Sequence, residues 1–426
     1  MKFKRPRGTN DFFGDRMERW RWAEGLLAAY LRRCGYREIR TPIFESTDLF
    51  TRAVGEGTDI VRKEMYTFAD RKGRSLTLRP ENTAPVMRAY IENGLYRNAG
   101  ISRFFYLGPM FRYDRPQAGR YRQFHQIGAE AIGSPGPAVD AEIIDVSLGL
   151  YRTLGFPPLE VRLNSVGCPT CRTRFRDVLT ARLADLTGEL CEACRERTTV
   201  NPLRIFDCKE CGPVKAKLPF IADHLCDECR NHFSRLERML DEMSVSYVTD
   251  PLLVRGLDYY TRTAFEIIHP GLGAQNALCG GGRYDGLAEE CGGPPIPAVG
   301  FSAGMERLME VVPKEPVGWK KEREAGVYFA VLDDRMASQA IAAARGLRER
   351  GIAALVDLSG RGLKRQLKAA SEAGAVLSII VGLAELPPGS AAIKRMETGE
   401  QTTVGSIDLV SRIETELEHV DGGRSD

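Results

Sequence analysis

Several kinds of segment are missing from this chain of 426 residues, and each absence narrows its chemistry. No apolar run approaches the ~18 residues that a membrane-crossing helix needs. The opening stretch MKFKRPRGTNDFFGD has no apolar core of the kind a secretory signal carries, so a cytosolic protein is expected. Structural disulfides are then not the expected use of its eleven cysteines. The five histidines are few, and no Ser/His/Asp arrangement accompanies them, which fits a chemistry that needs no nucleophilic side chain. Three successive glycines occur in CGGGRYDGL, but the Gly-Lys-Ser/Thr ending of a phosphate-gripping P-loop is absent. Repeats and low-complexity tracts are absent too. A net charge of only +3 leaves any nucleic-acid contact to local basic clusters rather than to a global field.

What is present reads as an ordinary globular protein, 43% hydrophobic and 27% charged, and too long for one core, so two to four domains are expected. A helical pattern runs from about Met17 to Cys34 and leads into GYREIRTPIFESTDLF, where Pro42 predicts a strand bent or ended at an edge. Strand-and-turn segments follow. From about Val166 the composition changes to charged helical stretches carrying four CxxC pairs, and a β-rich, Gly-rich character returns after Ser244. PKEPVGWKKEREAG reads as a linker. Beyond it the apolar strands VYFAVL, IAALVDL and VLSIIVG alternate with helical patterns, the mark of a small α/β domain. The expected organisation is a β-rich domain in two parts, 1–165 and 246–318, interrupted by a cysteine-rich insertion at 166–245 and followed by an α/β module at 327–426.

FRYDRPQAGRYRQFHQ, Phe111 to Gln126, places four arginines around one hairpin whose loop is centred on Pro116-Gln117-Ala118-Gly119. After the loop, Arg122, Phe124, Gln126, Gly128 and Glu130 fall on one face of an extended strand. That face offers a cation, a flat ring, an amide, a gap and a carboxylate in order, which suits a site for an anion, something planar and an ammonium group. In RPENTA, Glu81 and Thr83 share a face if the chain is extended, although Pro80 and Asn82 also fit a plain turn. VRGLDYYTRTAFE sets Arg255 near Tyr259 and Tyr260, which point to opposite faces if they lie in a strand. The glycines of CGGGRYDGL let a backbone approach something closely. GFSAGMERL runs into a helical pattern with Arg307 on its first turns.

The cysteine pairs are Cys168/Cys171, Cys191/Cys194, Cys208/Cys211 and Cys226/Cys229. Each pair can present two thiolates to one ion, and two pairs complete a tetrahedral zinc site, so one or two structural Zn²⁺ ions are expected. Nineteen residues separate Cys171 from Cys191 and fourteen separate Cys211 from Cys226; how the pairs combine stays open. Closed thiolate sets leave no open position, so a catalytic ion is not expected.

Taken together and in order, these stretches resemble the class II aminoacyl-tRNA synthetases, and the histidyl-tRNA synthetase family in particular. GYREIRTPIFESTDLF resembles motif 1, MFRYDRPQAGRYRQFHQ motif 2 and GFSAGMERL motif 3, while RGLDYYTRTAFE and GGGRYDGL resemble the two signatures peculiar to the histidine enzymes. The resemblance covers nearly the whole chain. Asp114 stands where glutamate is common and Asn82 where glycine is common.

The resemblance implies an α+β class II catalytic domain, an antiparallel sheet flanked by helices, dimerising through motif 1, with a C-terminal α/β anticodon-binding domain. It implies ligation of L-histidine to tRNA(His) through a histidyl-adenylate, with ATP as the Mg²⁺-bound substrate. Arg112 would grip the α-phosphate and the histidine carboxylate, Phe124 would stack adenine, and Arg120 and Arg307 would hold the pyrophosphate end. Arg255 would balance charge in the transition state. Glu81, Thr83 and Gln126 would meet the ammonium group, and Glu130 and Tyr260, with Tyr284 near, would read the imidazole. In the C-terminal module, Arg361, Lys364, Arg365 and Lys368 would form one basic helical stripe toward tRNA phosphates. Two other readings compete: a histidine-binding regulatory paralogue that controls ATP phosphoribosyltransferase, and a nucleic-acid adaptor built on the cysteine module. Both histidine signatures, the C-terminal module and Arg112, Arg255 and Arg307 are retained, which favours the ligase.

Overall fold

The computed structural model describes residues 3–98, 100–116, 119–200, 202–208, 210–313, 316, 318–319, 326–405 and 408–422. Gln117 and Ala118 at the centre of the expected hairpin loop, and most of the expected linker, lie outside these residues. The chain divides into two units, Met1–Trp319 and Lys320–Asp426.

The first unit opens with helix α1 (Asp15–Arg33), whose acidic first turn and basic last turn complement the helix dipole. Its Trp20, Ala23, Leu27 and Leu31, spaced by three and four residues, are buried. Pro42 falls between β1 (Arg37–Glu38) and β2 (Phe44–Ser46), and the two strands enter different sheets. Next come α2 (Thr47–Val54), β3 (Tyr66–Ala69), β4 (Ser75–Leu78), α3 (Thr83–Glu92), and the long pair β5 (Ser102–Phe111) and β6 (Gln123–Ile132). Helix α4 (Pro137–Thr153) leads to β7 (Glu160–Ser165). Between β7 and β8 (Tyr247–Thr249) lie α5 (Pro169–Asp185), α6 (Glu192–Val200), α7 (Gly212–Lys215) and α8 (Asp227–Glu242). The unit continues with β9 (Thr261–Ile268), β10 (Ala277–Arg283), α9 (Leu287–Glu290), β11 (Ala298–Gly304) and α10 (Met305–Val311).

Strands β2, β4 and β3 make a small antiparallel sheet. The main sheet has eight strands in the order β1-β5-β6-β11-β10-β9-β7-β8. Its pairings are antiparallel except at the two edges, where β1–β5 and β7–β8 run parallel. Ile127, Ala129, Phe265 and Phe301 pack with α1, α4 and the far end of α8 in the larger apolar core. A second cluster is tyrosine-rich, with Tyr106, Tyr259, Tyr260 and Tyr284 beside Met87 of α3. The alternation of strand residues separates an apolar core side from a side rich in tyrosines, and the cavity described below opens on the latter.

The cysteine-rich segment has an apolar core of its own, built from Phe175, Leu179, Leu183, Ile205, Phe206, Leu218 and Ile221 with the buried cysteines. The second unit is a five-stranded sheet, β12 (Val327–Val331), β13 (Ala354–Asp357), β14 (Leu377–Val381), β15 (Ser390–Arg395) and β16 (Gln401–Gly405), in the order β13-β12-β14-β15-β16. Its first three strands are parallel and carry α11 (Ala337–Glu349), α12 (Leu363–Glu372) and α13 (Leu409–Gly422). One expectation changes here. Helix α12 starts at Leu363, so Arg361 precedes it and donates to Asp357 at 3.2 Å and to Ser359 Oγ at 2.7 Å. Of the four cations, Lys364, Arg365 and Lys368 stand on the helix itself, and all three are exposed.

Candidate active site

A cavity of about 380 Å³ is lined by Glu81, Thr83, Arg112, Arg120, Phe124, Gln126, Arg255, Tyr260 and Arg307. Its size is that of a small-molecule site. Glu130 and Tyr284 are not in its wall. They lie behind Thr83, whose hydroxyl donates to Glu130 Oε1 at 2.8 Å, and the Tyr284 hydroxyl donates to the other carboxylate oxygen. The face of β6 is therefore used in layers. Phe124 and Gln126 reach the cavity, Gly128 leaves room for the Tyr106 ring, and Glu130 sits underneath. Arg122 departs from this expectation. It stacks 3.9 Å over Tyr113, and its backbone pairs with Gly8.

RPENTA is neither a strand nor a simple turn. Thr83 starts α3, and the Glu81 carboxylate accepts from the Thr83 and Ala84 amides at 2.7 and 3.1 Å, so Glu81 serves the orphan donors of a helix N-terminus. Asn82, where glycine is common, accepts from Thr41 Oγ1 at 2.6 Å and from buried Arg79 at 3.1 Å, tying this turn to the motif 1 stretch. Burial raises the Glu81 carboxyl above its ordinary range, with the two amides pulling the other way. Burial also pushes Glu130 up to about 8, against the hydroxyls of Tyr284 and Thr83, while the nearby Glu81 charge adds to the rise.

The arginines converge from separate elements. Arg112 follows β5, donates to Pro80 O at 2.8 Å and lies 5.4 Å from the centre of the Phe124 ring. Arg120 pairs with Asp114 at 3.2 Å. Arg307, on the first turn of α10, donates to Gly119 O and Ala277 O at 3.0 Å. Arg255 is ion-paired with Glu266 of β9 and lies across Gly280, where a methyl group would collide with its guanidinium. Burial works against the Arg255 cation, and Glu266 more than restores it. Tyr259 and Tyr260 do not occupy opposite faces of a strand. They lie in a turn before β9 with ring centres 4.8 Å apart, and both are buried on the cavity side.

Two residues here escaped sequence reasoning. Glu266 carries a signal, a lone carboxylate inside the apolar run TAFEII. Tyr106 carries none, because SRFFYLGPMF reads as plain core.

The cysteines form two four-sulfur clusters, Cys168/Cys171/Cys226/Cys229 and Cys191/Cys194/Cys208/Cys211. The pairs are nested, the outer two together and the inner two together. All eleven cysteines are free thiols. Sγ–Sγ distances of 3.6 and 3.9 Å in the outer cluster and 3.7 Å in the inner fit the ~3.8 Å edge of a tetrahedron with ~2.3 Å metal–sulfur bonds. Burial opposes ionisation of Cys168 and Cys208, but the backbone N–H groups of Cys171 and Cys211 and neighbouring thiols bring both down to about 7. Thiolates are what a metal ligand requires.

A mainly antiparallel sheet presenting arginines from a long hairpin, a central strand–helix junction and a signature loop to one cavity is the catalytic domain of a class II aminoacyl-tRNA synthetase. Comparison with known proteins narrows this. The histidyl-tRNA synthetase family model matches residues 8–195 and 211–308, and an anticodon binding domain model matches residues 320–416. The chain belongs to the histidyl-tRNA synthetase family. It is 48% identical to the histidine–tRNA ligase of Halothermothrix orenii, over 97% of this chain and 99% of that one. It also resembles the crystal structure of apo S. aureus histidyl-tRNA synthetase, with 37% identity, a TM-score of 0.78 and coverage of 97% and 100%. An ATP phosphoribosyltransferase regulatory subunit/histidyl-tRNA synthetase from Bacillus halodurans C shares the fold, at 21% identity, a TM-score of 0.64 and coverage of 90% and 100%.

Proposed function

We propose that this chain ligates L-histidine to tRNA(His) in two steps, through a histidyl-adenylate formed from ATP. The observation that carries the reading is one cavity in which Arg112, Arg255 and Arg307, from three elements, face the buried carboxylate Glu81 and the unpartnered Gln126 Oε1. A cationic side suits a polyphosphate and a carboxylate; the acceptor side suits an ammonium group.

ATP enters as its Mg²⁺ complex. Phe124 stacks the adenine, Arg120 and Arg307 hold the pyrophosphate end, and Arg112 fixes the α-phosphate beside the histidine carboxylate. That carboxylate attacks the α-phosphorus and pyrophosphate leaves. Arg255, held by Glu266, meets the charge that grows on the α-phosphoryl oxygens. The step runs on positioning and preorganised charge, with no side-chain nucleophile. Glu81, Thr83 and Gln126 receive the ammonium. Tyr260 meets the imidazole from the cavity wall, and Glu130 and Tyr284 take part in reading its two unlike nitrogens from behind, through the Thr83 hydroxyl that Glu130 accepts from. A ribose hydroxyl of the terminal adenosine of tRNA then attacks the adenylate's carbonyl carbon, forming the ester as the acyl–phosphate bond breaks and AMP leaves.

The two cysteine clusters hold one structural Zn²⁺ each and keep the insertion folded. The chain works as a homodimer; Ile43, Phe44 and Phe68, exposed and apolar in and beside the motif 1 stretch, support that surface. The second unit reads the anticodon. No helix among the described residues is long and apolar enough to cross a membrane. Histidine-dependent exchange of labelled pyrophosphate into ATP tests the activation step: it is expected with the protein alone, and its absence from folded protein would remove the enzyme reading.

A further inference from the structure

The outer cysteine cluster stands where the insertion joins the catalytic sheet. Cys168 caps α5 and Cys171 lies in its first turn, while Cys226 caps α8 and Cys229 lies in its first turn, so the cluster binds the N-termini of two helices together. The Cys226 amide also donates to Cys171 Sγ at 3.1 Å. Immediately beside it, Arg172 Nη1 donates to Asp258 O at 2.9 Å and Tyr260 O at 3.1 Å. Two backbone bonds complete the junction: Val166 N to Arg262 O at 2.7 Å and Arg262 N to Gly167 O at 2.8 Å. Arg262 has φ 52, a left-handed conformation that a residue with a side chain keeps only when its surroundings impose it. Val254, next to Arg255, both packs on the insertion's apolar core and lines the active-site cavity. The loop 254–262 is thus held from the insertion side, at the stem. Among the described residues the inner cluster, Cys191/Cys194/Cys208/Cys211, shares none of these contacts, and residues 196–210, Cys208 among them, fall outside the family match.

We infer that a metal ion in the outer cluster positions the histidine-reading loop, whereas an ion in the inner cluster serves only the insertion's own fold. The inference rests on the proposed zinc and histidine sites. With the outer cluster loaded, residues 166–172 are fixed, and Arg172 and Gly167 hold Asp258, Tyr260 and Arg262. Without the ion the two helix N-termini part, and Tyr260 loses its anchorage while the ATP contacts on the hairpin keep theirs. Arg172 is a positioning residue in this scheme.

The test uses the full-length protein with zinc counted by elemental analysis and histidine and ATP binding measured by calorimetry. Wild type should carry two ions per chain. Cys226→Ser/Cys229→Ser and Cys208→Ser/Cys211→Ser should each carry one. The outer variant should bind histidine at least ~10-fold more weakly with ATP affinity within ~2-fold, and the inner variant should bind both as wild type does. Arg172→Ala should keep two ions yet weaken histidine in the same selective way, with Arg172→Lys recovering part of the loss; this arm stands even where the outer cysteine variant does not fold. Two ions with unchanged histidine affinity in Arg172→Ala, or equal histidine losses in both cysteine variants, would overturn the coupling. No metal in wild type would overturn the zinc reading, and the coupling with it. Wild-type protein that carries two ions but binds no histidine would instead refute the assigned substrate.

Discussion

Adding one methyl group at Gly280 should disable Arg255 without touching its charge. The guanidinium lies across Gly280 and is ion-paired with Glu266, the cross-strand neighbour of that glycine, so an alanine Cβ there would occupy its space. No positive φ is required at this glycine, so the substitution displaces Arg255 rather than straining the strand. A misplacement of ~1 Å at a preorganised charge costs on the order of 10²-fold in rate, and losing such a group outright costs ~10²–10³-fold, or about 2.7–4 kcal/mol. Gly280→Ala should therefore lower the histidine-dependent pyrophosphate exchange rate ~10²-fold and move KM for ATP by no more than ~3-fold, the mark of an interaction made mainly in the transition state. Arg255→Ala should lower it at least as far. The two changes should not add: on an Arg255→Ala background the methyl group should have little further effect. Equal rate losses from Gly280→Ala on both backgrounds, or a change confined to KM, would refute the reasoning.

Glu130 binds its proton more tightly folded than unfolded, so it weakens the fold as pH rises from the ordinary carboxyl value of 4.5 to about 8, and the cost is complete above that. Glu130→Gln should remove a slope of up to about 1.4 kcal/mol per pH unit from urea-unfolding stabilities across this window; parallel profiles for the two proteins would contradict the assignment. Arg283→Met should destabilise the first unit by about 3–5 kcal/mol, because it strips the cation from wholly buried Asp140, 2.9 Å away, and leaves that carboxylate with His232 at 2.5 Å; a cost under ~1 kcal/mol would show the network to be dispensable. A chain ending at residue 319 should keep histidine-dependent pyrophosphate exchange, since every proposed activation residue lies upstream, and lose most tRNA charging and all sensitivity to anticodon changes. A truncated protein that still discriminates anticodons would contradict the role given to the second unit.

Much of the architecture is legible in the amino-acid sequence, for physical reasons. Helix α1 declares itself by its apolar spacing and charged ends, and the C-terminal module by alternating apolar strands and helical patterns. The β6 face was visible because strand residues alternate. What the period could not say was how deep each side chain lies: Glu130 passes beneath the cavity wall and Arg122 turns away to Tyr113. Glu81 and Thr83 were legible as a pair, yet the helix N-terminus that the Glu81 carboxylate caps depends on α3 finding its place on the sheet. The nested pairing of the cysteines was hidden for a similar reason. Spacing along the chain says nothing of a helical module that folds back so that Cys226 returns to Cys168. Glu266 left a trace as a charge in an apolar strand, and Tyr106 left none. Arg361 looked helical by spacing alone, but Asp357 and Ser359 hold it before the first turn of α12.

The central claim is that the cavity makes histidyl-adenylate and hands it to tRNA. Charging of purified tRNA by the full-length protein, with labelled histidine, ATP and Mg²⁺, measures this directly. The account predicts acid-precipitable label on tRNA(His) that appears only with ATP, and none on other tRNAs. Histidine binding without any transfer to tRNA(His) would contradict it and leave a histidine-binding regulator in its place.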